Sequence, residues 1–185
     1  MRAPVDCPED KIYEKIRKRD PWIIKQRSFF LSFQPKTPPG KFVSGETHLY
    51  AGRQYRLKIE TGDQDESVKL RGQFIVVTTI DKFNAKQLLG EWYIRNAKIK
   101  LTKIAQPLIQ SFKRRNVFPT EIVFRDMATR WGSCTAKVKI ILNPELITAP
   151  KGGIEYVIIH ELCYLIHHDH TQKFIDLQTK EMPIW

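Results

Sequence analysis

Four of the five histidines in this 185-residue chain fall within eleven residues, in IIHELCYLIHHDHTQKF (Ile158–Phe174). Such a run can be a solvated polar helix face, a generic metal-binding tract or a catalytic metal site, and the local pattern separates the three. His160 and Glu161 sit in an otherwise apolar stretch (Ile154, Val157, Ile158, Ile159, Leu162, Leu165), where a carboxylate is costly to bury without a partner. A water on a metal ion is such a partner. The helix motif H-E-x-x-H places two imidazoles one turn apart, with the glutamate set to deprotonate that water. Here the five residues are His160, Glu161, Leu162, Cys163 and Tyr164, so tyrosine stands where the second histidine would. Position 164 still lies about 40° round a helix from position 160, within reach of the same ion.

The third candidate ligand comes from spacing. His170 follows His160 by ten residues, the interval of the extended motif H-E-x-x-H-x-x-G-x-x-H. The chain must leave the helix near residue 166 for His170 to swing back. His167 fills the motif's glycine position, and histidine tolerates the positive φ expected there. His167 shares a helical face with His160 but, were the helix to continue, would lie about 10 Å further along the axis. Tyr164, or an added water, therefore ranks above His167 and His168 as the group completing the site. Cys163 and Cys134 read as small buried apolar residues rather than ligands, and His48 as structural. Arg130 is the candidate for contact with substrate or with Glu161.

These side chains need a scaffold. Residues 9–33 read as a basic helix interrupted at Pro21, with Trp22, Phe29, Phe30 and Phe33 as core, and Pro35–Lys41 as a loop. Thr47–Tyr50 and Gln54–Glu60 read as strands about a turn at Ala51–Arg53, followed by an acidic turn and a strand over Gln73–Thr79. A long helix is expected from residue 84 to about 115, capped by Asn84 and kinked or split at Pro107. Strands follow at Glu121–Arg125 and Lys137–Leu142, the second a candidate edge for pairing an extended substrate. Asn143–Pro144–Glu145 fits a helix start, and a last helix runs from near Pro150 to about His167. The expected class is α+β: a small antiparallel or mixed sheet, long helices and a metal-site helix near the C-terminus. Residues 1–82 (helix plus antiparallel β region) and 83–185 (the metal-site region) are expected to form one compact unit.

Composition bounds the partners. Hydrophobic residues at 42% exclude a disordered chain, and apolar runs of four or five residues are too short to span a bilayer. The first residues lack the apolar stretch of a secretory signal. Three scattered cysteines do not make a disulfide scaffold, so a reducing, cytoplasmic setting is expected. A net charge of +11 raises the prospect of an anionic partner, nucleic acid or nucleotide phosphate, without choosing between them.

TRWGSC (Thr129–Cys134), NPEL, IEYVIIHELCYL with its later histidine, and SGETHLYAGRQYRLKI (Ser44–Ile59) together resemble the YgjP-like family of metallopeptidase-type proteins, over nearly the whole chain. The resemblance implies a zincin-like α+β fold, with relatives in the SprT and WLM groups, and a zinc site written HELCHL plus a later histidine. By position it makes His160 and His170 ligands and Glu161 the general base, with Tyr164 in the second-ligand place. It also implies a final helix that continues past a motif like MPIW (Met182–Trp185), where this sequence ends.

Two function classes follow. The first is a metal-dependent hydrolase, a zinc metallopeptidase acting on peptides or, with the same chemistry, a nucleotide phosphohydrolase. Phenol titrates near 10, so binding as phenolate at neutral pH costs about 4 kcal/mol unless the metal offsets it, and weaker zinc binding is expected. The second is a basic nucleic-acid-binding protein whose metal site has decayed at position 164. Glu161 favours the first, because a purely structural site has no use for it.

Overall fold

The computed structural model describes residues 40–62, 65–135 and 137–183. The chain divides into two compact units, Met1–Lys41 and Phe42–Trp185, and the elements described lie in the second. The expected helix over 9–33, with its aromatic set, falls outside the described residues. So does the loop at 35–41, save its last two positions.

The first sheet contains β1 (Thr47–Tyr50), β2 (Arg53–Thr61), β3 (Ser67–Arg71) and β4 (Phe74–Thr79), in the order β1-β2-β4-β3. It is mixed rather than antiparallel. β4 runs parallel to β2, with Leu57 opposite Ile75 and Ile59 opposite Val77, while β3 folds back against the outer side of β4. The β1–β2 turn is two residues long, with Ala51 at φ 51° and Gly52 at φ 75°, the left-handed pair that a twisted hairpin requires. Its amides donate outward, Ala51 N to Ile147 O (2.7 Å) and Gly52 N to Thr148 O (3.1 Å). A Cβ on Gly52 would stand 2.6 Å from the Pro150 Cα, so only glycine permits this approach.

The helix α1 (Ala85–Phe112) runs unbroken through Pro107. Its start differs from expectation. A 3-10 turn (Lys82–Asn84) precedes it, capped by the Asp81 side chain accepting from Phe83 N (3.0 Å), and Asn84 makes no cap bond. Ala85, Leu89, Trp92, Ala97, Leu101, Ala105 and Phe112 are its buried positions, spaced as one helical face. Tyr93 donates to Leu49 O at 2.7 Å and so pins α1 to β1.

The second sheet is β5 (Glu121–Phe124), β6 (Gly132–Cys134) and β7 (Lys139–Leu142), ordered β5-β7-β6. β7 is parallel to β5 and antiparallel to β6. The expectation that Lys137–Leu142 offers a free edge is therefore overturned: β7 is central, and β5 and β6 are the edges. Lys137 and Val138 leave the strand for its turn, where Val138 N donates to Thr135 O and Val138 takes φ 58°.

Asn143 opens a 3-10 turn (Pro144–Thr148) by accepting from Glu145 N at 3.0 Å. Then α2 (Lys151–Tyr164) carries the candidate residues, with Ile154, Ile158, Ile159, Leu162 and Cys163 buried. Such a helix is apolar on most sides because it packs against α1, α3 (Gln172–Glu181) and β6. One core takes residues from both sheets and all three helices, among them Leu57, Ile75, Leu101, Leu142, Ile158 and Phe174.

Candidate metal centre

The helix end sets the geometry. At the close of α2 the Cys163 carbonyl accepts from both Ile166 N (3.0 Å) and His167 N (2.9 Å), which tightens the last turn. The chain then turns through residues 165–171 into α3, and His170 returns to the helix it left. His167 is not among the positive-φ residues: the turn is made by this tightening, without the left-handed step its glycine-like position suggested.

His160 Nε2 and His170 Nε2 lie 3.3 Å apart. On the other side of the His160 ring, Nδ1–H donates to Gln178 Oε1 at 3.2 Å. That bond puts the proton on Nδ1 and leaves Nε2 bare. Two imidazole nitrogens sharing a tetrahedral zinc at 2.0–2.1 Å stand about 3.3 Å apart, so the pair is spaced as a divalent cation would space it. Phe174, buried in the core, packs its ring 5.0 Å from His160 and 4.8 Å from His170 and fixes both planes. Burial pulls the His160 pKa down, opposed by its bond to Gln178, which favours the neutral imidazole a cation needs.

Tyr164, one turn after His160, has its ring 5.5 Å from that of His170 and 6.2 Å from that of His168. Among the described residues no trio of His, Cys, Asp and Glu is placed to hold a metal, so neither His167 nor His168 adds a third imidazole. The donors present are two imidazoles with a phenol beside them, a set that fits a divalent cation once the phenol or a water contributes.

Glu161 lines the same cleft as His160, reaches toward β6 and is 8% exposed. Its carboxylate lies against the bare α-carbon of Gly132: a Cβ there would meet Glu161 Oε1 at 2.8 Å and Cγ at 2.9 Å. Cys134 Sγ is 3.2 Å from Oε2 and 3.0 Å from the Glu161 carbonyl oxygen. Burial raises the Glu161 pKa, opposed by the Cys134 hydrogen bond and by the Arg130 charge. Burial likewise pushes the Cys134 thiol up, so it stays a protonated donor. A cleft of about 500 Å³ opens over these groups, lined by Arg130, Trp131, Ser133, Tyr156, His160 and Glu161 among others.

Sequence reasoning had missed three of these parts. Gly132 carried no reading of its own and Cys134 reads as a small buried apolar residue, yet both touch Glu161. Gln178 gave no signal at all beyond being a polar residue on the apolar face of an amphipathic helix.

No helix among the described residues is long and apolar enough to cross a membrane. Searches of curated proteins and of solved structures return no match. Against protein families, residues 1–185 match the description YgjP-like, metallopeptidase domain, which makes this α+β chain a member of the YgjP-like family, whose domain is that of a metal-dependent hydrolase.

Proposed function

We propose that the chain is a zinc-dependent peptidase with His160 and His170 as ligands, Tyr164 in the third ligand position and Glu161 as the general base. The convergence of His160 Nε2 and His170 Nε2 at 3.3 Å, beside a buried carboxylate in an open cleft, carries this reading. When bound, zinc supplies an electrophile for the scissile carbonyl and brings a ligated water to a pKa of about 7.

The protein's own groups do the rest. Gln178 holds the His160 tautomer. Glu161 takes the proton of the attacking water on its carboxylate and returns it to the leaving amine. Its raised pKa suits that exchange, since a base works best when its pKa approaches the working pH. Arg130 acts on Glu161 through its charge and stands at the cleft wall where a substrate carbonyl or carboxylate would pass. The free side of β6, the edge of its sheet beside the cleft, offers backbone groups to an extended peptide.

Tyr164 is the departure with the clearest consequence. A phenol ligates well only as phenolate, at a deprotonation cost of about 4 kcal/mol at neutral pH before the metal offsets it. Protein purified without chelator should carry sub-stoichiometric zinc, and Tyr164→His should raise its occupancy and its cleavage of an unfolded-protein substrate. Full and equal zinc in both proteins would remove Tyr164 from the ligand set. A fully zinc-loaded Tyr164→His protein that cleaves no peptide in a mixed library would sink the peptidase reading itself.

A further inference from the structure

The four-stranded sheet has a second face, turned away from the core. Alternation sends Leu57, Val68, Ile75 and Val77 inward, where all four are buried, so the residues between them face out. The strand register lines these up in rows. Arg56 is opposite Phe74, and Phe74 is opposite Arg71. In the next row Lys58 is opposite Val76, and Val76 is opposite Lys69. Each row reads cation, apolar residue, cation; Val76 is buried, at 4% exposure, and Phe74 is the exposed apolar residue of the two. Arg56, Lys58, Lys69 and Arg71 are exposed, and Phe74 is 41% exposed. The third row, Glu60, Thr78 and Ser67, carries the acid of these rows: Glu60 pairs with Lys58 at 2.8 Å and also feels Arg71. None of these residues lines the imidazole cleft.

An exposed ring on a central strand, flanked by guanidinium groups, can stack an unpaired base while the cations hold phosphates. Same-face residues are two apart, so the rows repeat at about 7 Å. That is about twice the 3.4 Å rise per phosphate of a stacked strand, a spacing suited to a strand whose bases have been drawn apart. A duplex offers no free base to Phe74. We propose that this outward sheet face binds single-stranded nucleic acid, with Phe74 stacking a base and Arg56, Arg71 and Lys69 taking its phosphates.

The test is fluorescence anisotropy of a labelled oligo-thymidylate with the full chain across a salt series. Replacing both arginines (Arg56→Gln with Arg71→Gln) should lower affinity at least tenfold at low salt. It should also reduce the slope of log K against log salt by about 1.4, at roughly 0.7 per phosphate contact. Phe74→Ala, and Phe74→Leu as a bulk-preserving control, should each lose about tenfold toward the oligonucleotide and nothing toward inorganic polyphosphate. Melting by circular dichroism checks that each variant folds.

Absent binding at low salt, or full affinity in the arginine variant, would overturn the proposal. So would a Phe74→Ala loss that is equal for polyphosphate, or binding confined to phosphatidylserine vesicles, which would mark a lipid surface. Glu161→Gln should bind the oligonucleotide as the parent does; a loss there would move the strand into the cleft and equally defeat the assignment. The result therefore stands apart from any result on hydrolysis.

Discussion

The Cys134 thiol donates to the Glu161 carboxylate, Sγ to Oε2 at 3.2 Å, and so ties the candidate base on α2 to the edge strand β6. Hydrogen bonds to charged groups contribute about 1.5–3 kcal/mol, and this one opposes the upward pull of burial on the Glu161 pKa. Cys134→Ala should lower kcat for peptide hydrolysis about tenfold with KM nearly unchanged, and Cys134→Ser should restore most of it. Infrared spectra offer a second reading: the S–H stretch of Cys134 should move in Glu161→Gln, whose amide is a weaker acceptor.

Gly132 makes room for that carboxylate. In Gly132→Ala the new methyl would meet Glu161 Oε1 at 2.8 Å and Val157 Cγ1 at 3.0 Å. Overpacking of this kind costs about 1–3 kcal/mol, which chemical denaturation would report. Activity should fall further than stability alone predicts, because Glu161 must turn aside. A Gly132→Ala protein with parental stability and turnover would show that the carboxylate is not held where it is described.

Gln178 is buried, at 2% exposure, with its Oε1 on His160 Nδ1 and its Nε2 without a partner among the described residues. Outer-sphere partners of a ligating histidine are typically worth 10- to 100-fold in metal affinity. Gln178→Leu should weaken zinc binding by about that factor, measured by competition with a chromophoric chelator. Gln178→Glu, which still accepts from Nδ1–H, should bind at least as tightly as the parent.

Glu161 makes stability depend on pH in a definite direction. Its folded pKa is raised by burial, so the folded state favours the protonated acid. That contribution is fully present below the ordinary carboxylate pKa and is lost as pH rises through the folded value. In chelator, where no cation offsets the charge, Glu161→Gln should therefore unfold at higher urea than the parent at neutral pH. The gap should close as pH falls below the carboxylate range. A gap that widens on acidification would mean the carboxylate is better solvated folded than unfolded.

The parts legible in the sequence are those written in local periodicity or fixed intervals. His160 and Glu161 announce themselves as polar residues in an apolar helix, and the ten-residue interval places His170 back beside His160 at 3.3 Å. The hairpin about Ala51–Arg53 shows in the same way, although Arg53 already pairs with Tyr50 and the turn itself is Ala51–Gly52. What escapes is non-local. β6 has three residues, Gly132–Cys134, too few to alternate, and its strand character comes from pairing with β7. Parallel pairing of β2 with β4 depends on β3 folding to the far side of β4, which no residue of β2 encodes. The Gln178–His160 bond spans 18 positions, and Asp81 rather than Asn84 caps because a 3-10 turn intervenes.

Gly52 links the hairpin to the chemistry at a distance. Its turn abuts Pro150, the residue before α2, and the amides of Ala51 and Gly52 donate to the carbonyls of Ile147 and Thr148. The N-terminal sheet thus serves as a doorstop for the helix bearing His160, fixing how far that helix slides and rolls. An excised piece starting at residue 83 would keep every candidate donor and lose the buttress that aims them.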